Sequence, residues 1–294
     1  MIWCSGWELA SAVSNAGALG VIGGGSMYPD ILRDHIRKCK AATKNPFAVN
    51  VPLIYPDIDK HIQIILDEGV KIVFTSAGNP KIWTGILKDK GIKVVHVVAS
   101  VKFAKKSEEA GADAIVAEGF EAGGHNGREE TTTMVLLPLV CNAVMIPVIA
   151  AGGIASGRAM TAAFALGAEG VQVGTRFAAS IEASGNDAFK KKIIETGEGD
   201  TKLSLKKLVP VRLIKNKFYE QVQQAEDKGA TPEELQQLLG KGRSKKGMFE
   251  GDLENGELEI GQVAAQIRDL KPAAEIVKDI WLEFLDTKKR ITEL

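Results

Sequence analysis

Residues 117–127 read Ala-Glu-Gly-Phe-Glu-Ala-Gly-Gly-His-Asn-Gly. Two carboxylates, Glu118 and Glu121, and one imidazole, His125, share this stretch with four glycines. Carboxyl and imidazole groups are the side chains that most often move protons at a reacting centre. Glycine lets the backbone turn sharply and approach a ligand closely. The run before it, Ala114-Ile115-Val116-Ala117, reads as a buried strand. A loop of this make-up directly after a buried strand is where α/β barrels put their chemistry. A solvated surface turn with a chance histidine would have the same local composition, so the rest of the chain must separate the two readings.

Two further glycine turns stand out: Ala150-Ala151-Gly152-Gly153-Ile154 and Val173-Gly174-Thr175-Arg176. Each follows an apolar run. In barrels, the loops after the last two strands often form a phosphate site from backbone N–H groups and a helix N-terminus. Thr175 adds a hydroxyl. The plainer alternative is that these glycines only permit tight turns. No lysine ends any strand, which disfavours Schiff-base chemistry. Cys4, Cys39 and Cys141 are widely spaced and odd in number, which argues against a disulfide framework and against a zinc site. One histidine facing a phosphate-bound ligand suits a cofactor that carries its own redox chemistry.

These turns must be held by a frame, and the chain supplies a regular one. Apolar runs at 19–25, 47–51, 71–76, 94–98, 114–117, 147–153 and 170–176 alternate with helical patterns, many of them closed by glycine. Continuous apolar strands are those covered on both faces, and βα repetition means a parallel sheet with helices outside. An open doubly wound sheet and a closed (β/α)8 barrel both fit. The barrel is favoured because nearly every strand ends in a small or polar residue (Gly23, Asn50, Ser76, Ser100, Glu118, Gly152, Gly174), giving a ring of loops rather than one switch point. The first recognisable element is a helix, Ser5 to Gly17 with Ser5 as its cap. The expectation is therefore a TIM barrel that lacks its first strand, with Met1 an internal methionine serving as a start.

After Phe177 the rhythm stops. The expected division is a barrel over 1–183, a helical lid over 184–257, and C-terminal helices over 258–294 that pack back on the barrel. Helices are expected at 131–144, 190–195, 218–228, 232–239, 257–270 and 273–288. The basic loop 240–247 reads as solvated. His35 and His61 read as solvated residues of outer helices, and His96 as a hydrogen-bonded core residue.

Lys+Arg and Asp+Glu each number 37, so no net field recruits nucleic acid or an anionic membrane. No apolar run approaches the roughly 20 residues that span a bilayer, and no secretory leader opens the chain, so a cytoplasmic location is expected.

The three glycine-bearing motifs at 117–127, 150–154 and 174–177 together resemble those of an FMN-dependent family. It contains the nitronate monooxygenases (2-nitropropane dioxygenases) and the FabK-type enoyl-acyl-carrier-protein reductases. The resemblance runs on through Val211–Asn216 and Glu250-Gly251-Asp252 to Gly261-Gln262. It implies a TIM barrel with FMN at the strand C-termini. It implies His125 as the active-site imidazole. It also implies cofactor contacts from Met1, Asn50, Glu118, Gly123, Gly124, Ala151, Gly152, Gly153, Gln172, Gly174 and Thr175. No metal is implied. The monooxygenases tend to show His-Lys-Cys-Thr where this chain reads His96-Val97-Val98-Ala99, and Asp-Gly where it reads Glu118-Gly119. The reductases resemble Val97-Val98-Ala99-Ser100 and Ala117-Glu118-Gly119 more closely. That leans toward a reductase using NADH or NADPH on a small-molecule or acyl-carrier-bound substrate, with a homodimer conceivable. Both branches often carry a histidine shortly after Gly-Thr-Arg-Phe; here the stretch is Ser184-Gly185-Asn186. Two rivals stay open: a flavin-free phosphate-binding isomerase or lyase, and a catalytically silent barrel.

Overall fold

A computed structural model describes residues 1–293. The first half runs α1 (Trp7–Asn15), β1 (Gly20–Gly23), α2 (Pro29–Ala42), β2 (Phe47–Pro52), α3 (Ile58–Asp67) and β3 (Ile72–Ser76). It continues with α4 (Thr84–Asp89), β4 (Lys93–Val98), α5 (Val101–Glu109), β5 (Ala114–Glu118), β6 (Gly124–His125) and α6 (Thr133–Cys141). Then follow β7 (Val148–Ala151), α7 (Gly157–Ala165), β8 (Gly170–Gln172), α8 (Thr175–Ala178) and α9 (Asp187–Glu195). The last elements are β9 (Thr201–Ser204), β10 (Val211–Ile214), α10 (Lys217–Asp227), α11 (Pro232–Leu239) and α12 (Ala273–Thr292).

Seven parallel strands form one curled, TIM-barrel-like sheet in the order β1-β2-β3-β4-β5-β7-β8. These are the seven runs marked by the sequence. The pleat sends alternate residues to opposite faces. Val49, Val73, Val94, Ile115 and Ala150 point outward and pack under the helices. Ala48, Phe74, Val95, Val116 and Ala151 point inward and pack on one another. Each fully buried branched side chain contributes about 1.5–3 kcal/mol, so this wall is a firm support for whatever its ends carry. Among the described residues β1 and β8 do not pair. The opening between them is crossed by the first residues: Gly23 N–H donates to Ser5 O (2.9 Å), Ser5 N–H to Met1 O (3.3 Å) and Ser184 N–H to Cys4 O (3.1 Å). Ser5 is therefore not a helix cap. Gly6 takes that place, and the Ser5 hydroxyl donates to Val21 O at 2.6 Å.

Other expectations also differ from the structure. The 184–257 region is not purely helical, because β9 and β10 form an antiparallel pair joined by β6, the short strand that bears His125. The 257–270 stretch is not a helix. Glu257–Ile260 runs extended beside β10, with Ile214 N–H donating to Leu258 O (2.9 Å), and only Gln262–Gln266 makes a 3-10 turn. The last strand stops at Gln172, and Thr175–Ala178 is a helical turn. His61 is buried, with its ring nitrogens 2.9 Å from Asp57 O and Met27 O, because it shares the inner face of α3 with Ile58, Ile62 and Ile65. His35 is half-buried and its Nδ1 accepts from Trp7 N–H at 3.1 Å. His96 is buried as expected, 2.7 Å from the Thr75 hydroxyl, and burial lowers its imidazole to about 4.

The basic loop is not simply solvated either. Arg243 donates to Leu239 O (3.0 Å), Leu238 O (2.8 Å) and Asn255 O (3.1 Å) and lies over the Phe218 ring. Lys245 and Lys246 pair with Glu250 and Asp252 at 3.0 Å each. At the C-terminus, α12 packs on α7 and α1. No described helix is long and apolar enough to cross a membrane.

Candidate active site

The inward pleat decides which side chains meet at the strand ends. Asn50 lies two residues beyond inward Ala48, and Glu118 two beyond inward Val116, so both face the interior at the C-terminal rim. One rung of the sheet runs Glu118, Ala151, Gln172 across β5, β7 and β8. The rim is thus polar at Asn50, Glu118 and Gln172 and closed by the small Ala151. Glu118 is half-buried and its carboxyl has no hydrogen-bond partner among the described residues. Burial pushes that carboxyl from 4.5 up to about 7, opposed only by the Met1 amine.

The sign of that shift gives a measurable consequence. The native state holds the Glu118 proton more tightly than the unfolded chain does, so stability falls as pH rises through this window. The urea midpoint of the native sequence is expected to drop further between about pH 5 and about pH 8 than that of Glu118→Gln. Equal drops would show that the carboxyl ionises as freely as in water.

Beside this rung lie the two glycine turns. Gly152 and Gly153 have φ of 93° and 71°. A Cβ at Gly152 would stand 2.7 Å from Gly119 O, so only glycine fits there. The backbone N–H groups of Gly152, Gly153, Gly174 and Thr175 donate to no acceptor among the described residues. All four residues are partly open to solvent. By contrast the N-terminus of α7 is already satisfied: Gly157 N–H donates to Glu283 (2.7 Å) and Ala159 N–H to the Ser156 hydroxyl (3.2 Å). Each of the two turns thus carries two unpaired donors. Met1 reaches the same spot, with its side chain 3.7 Å from where a Cβ on Gly174 would be.

The His125 loop is fastened from three sides. The Glu121 carboxylate accepts from Thr133 N–H (2.9 Å) and from the Thr133 hydroxyl (3.0 Å), which also lies 2.9 Å from Gly152 O. Glu121 O accepts from Gln262 N–H (2.9 Å), and Gly261 N–H donates to the Thr175 hydroxyl (3.1 Å). Segment 257–262 thus ties the histidine loop to the β8 turn. A Cβ on Gly123 would stand 2.4 Å from the Ile260 carbonyl carbon, so glycine is required for that approach. On the third side, β10 pairs with β6, placing Val211 opposite His125 and Arg212 opposite Gly124. Arg212 is 2% exposed, donates twice to Phe120 O (3.1 and 2.9 Å) and lies over the Phe120 ring at 4.7 Å. His125 itself is exposed, and its ring makes no hydrogen bond among the described residues.

Glu121, read in the sequence as a candidate proton-moving carboxylate, is instead committed to Thr133, and Arg212 and Glu259, which lies against Gly124, were not singled out in the sequence. Arg212 had a readable signal: a lone arginine inside the apolar run Val211-Arg212-Leu213-Ile214 must find partners once buried.

The family model described as nitronate monooxygenase matches residues 1–59 and 55–283. The chain belongs to the nitronate monooxygenase family. It is an oxidoreductase, as its relatives are. The structure of FabK from Thermotoga maritima superposes with a TM-score of 0.95 at 44% identity, covering 100% of this chain and 93% of that one. A probable nitronate monooxygenase of Bacillus subtilis (strain 168) is 33% identical, over 87% of this chain and 85% of its own length. A dehydrogenase of Mycobacterium tuberculosis (strain ATCC 25618 / H37Rv), named for a hydroxy-methyl-oxo-octahydro-indene-carboxyl-CoA, is 31% identical, over 96% and 90%.

Proposed function

We propose that this family member is an FMN-dependent oxidoreductase that reduces enoyl thioesters of the acyl-carrier type, with NADH or NADPH as reductant. The observation that carries the FMN reading is the set of four unpaired amides at Gly152, Gly153, Gly174 and Thr175. Such donors suit a phosphate monoester, and the polar rim of Asn50, Glu118 and Gln172 beside them suits a polyhydroxylated chain. When bound, FMN supplies the hydride chemistry. The protein then contributes orientation, exclusion of water and one mobile proton. His125 is free to hydrogen-bond a substrate carbonyl or to deliver a proton to it. Arg212 and Glu121 hold the loop that presents it.

The thioester reading is supported by the 44% identity to FabK and by the carboxyl-CoA in the mycobacterial relative's name. A second reading, oxidation of alkyl nitronates with O2, is supported by the family model and by the Bacillus relative. One experiment separates them. Purified protein is mixed with NADH and a crotonyl thioester, and separately with a nitronate and O2. Thioester-dependent loss of NADH is expected; oxygen uptake with nitronate alone would select the second reading.

A further inference from the structure

We infer that Thr133 is a positioning residue for the cofactor phosphate: its hydroxyl fixes the direction in which the Gly153 amide points. This rests on the reading of the two glycine turns as the phosphate site of a bound FMN.

Thr133 opens α6, and its N–H is one of the amides that the first turn of a helix leaves without an internal partner. Glu121 accepts that N–H at 2.9 Å and so fixes the residue where the loops after β5 and β7 meet. The side chain is β-branched, which restricts the hydroxyl to few directions. Three acceptors surround it: Gly152 O at 2.9 Å, Glu121 Oε2 at 3.0 Å and Ala151 O at 3.2 Å. The hydroxyl has one proton to give, and the three claims on it are unequal. Ala151 O already accepts from Gly119 N–H at 2.9 Å, and Glu121 from Thr133 N–H. Gly152 O has no other donor among the described residues. Glycines keep the space open: a Cβ on Gly119 would collide with the hydroxyl, and one on Gly152 would stand 2.9 Å from it.

The Gly152 carbonyl and the Gly153 N–H belong to one trans peptide unit, in which the two groups point in opposite directions. Anchoring the oxygen on Thr133 therefore turns the Gly153 N–H away from α6. A peptide between two glycines has no Cβ on either side to resist its rotation. Without the anchor it can turn over and present a carbonyl oxygen where the amide stood. A phosphate would then meet a repelling dipole in place of a donor.

The test titrates apoprotein with FMN and with riboflavin, which lacks the phosphate, and reads quenching of flavin fluorescence. Thr133→Val keeps the shape and removes the donor; Thr133→Ser keeps the donor. Thr133→Val is expected to bind FMN about tenfold more weakly than the native protein, the loss of about one charge-assisted hydrogen bond, and riboflavin equally well. Thr133→Ser should retain the native affinity for both. Thr133→Ala should show the same phosphate-specific loss and serves if Thr133→Val does not fold. Equal weakening of FMN and riboflavin would make the residue merely structural and overturn the inference, as would an unchanged FMN affinity; both outcomes leave the phosphate reading intact. A native protein that binds FMN and riboflavin alike overturns that reading and this inference with it.

Discussion

His125→Ala is expected to lose roughly 100- to 10,000-fold in turnover while retaining bound FMN, the range typical of removing one positioned acid or base. The ring is exposed and bonds to nothing among the described residues, so its removal leaves no buried group unsatisfied. The backbone of His125 stays paired with Val211, and the amide of Asn126 stays bonded to Pro210 O at 2.8 Å. Stability should therefore change by no more than about 0.5 kcal/mol. The measurement is a steady-state rate beside the visible spectrum and the melting temperature of the same preparation. Full activity in His125→Ala would make the imidazole a bystander.

The second large effect is expected at Gly152. An alanine there must adopt φ near 93° with its methyl group 2.7 Å from Gly119 O, a backbone atom that cannot swing aside. The left-handed conformation alone costs about 1–2 kcal/mol, and the clash adds to it. Gly153 is the internal control. Its φ is also positive, but a Cβ there would meet only the Glu121 side chain at 3.4 Å. Gly152→Ala should thus lower FMN affinity by more than about tenfold relative to Gly153→Ala, since each 1.4 kcal/mol is a factor of ten. Titration of apoprotein with FMN, followed by quenching of flavin fluorescence, gives both constants. Equal affinities would mean that the turn at β7 does not shape the cofactor site.

The parallel sheet was legible because each of its strands is covered on both faces and so reads as an unbroken apolar run. Asn50 and Glu118 were legible as strand-end polar residues for the same reason. The cap was not. Thr201-Lys202-Leu203-Ser204 and Val211-Arg212-Leu213-Ile214 are short and interrupted by charge, and the second of them pairs with β6 across more than 80 residues of chain. The 257–270 stretch carries apolar residues at helical spacing, yet Glu257–Ile260 is drawn out straight by its bonds to β10, a case of tertiary pairing overriding local preference. His61 illustrates a signal that was present and passed over. Its spacing from Ile58, Ile62 and Ile65 puts it on the buried stripe of α3. Arg212 could be seen in the sequence, but not its partner, because Phe120 lies 92 positions away.

The phosphate cradle is the part of the account on which the rest depends. Riboflavin has the isoalloxazine and the ribityl chain of FMN but no phosphate. Measured side by side on apoprotein, FMN is expected to bind at one per chain and riboflavin at least about a hundredfold more weakly, the loss of several charge-assisted hydrogen bonds. Equal binding of the two, or no binding of either, would contradict the assignment of the four free amides.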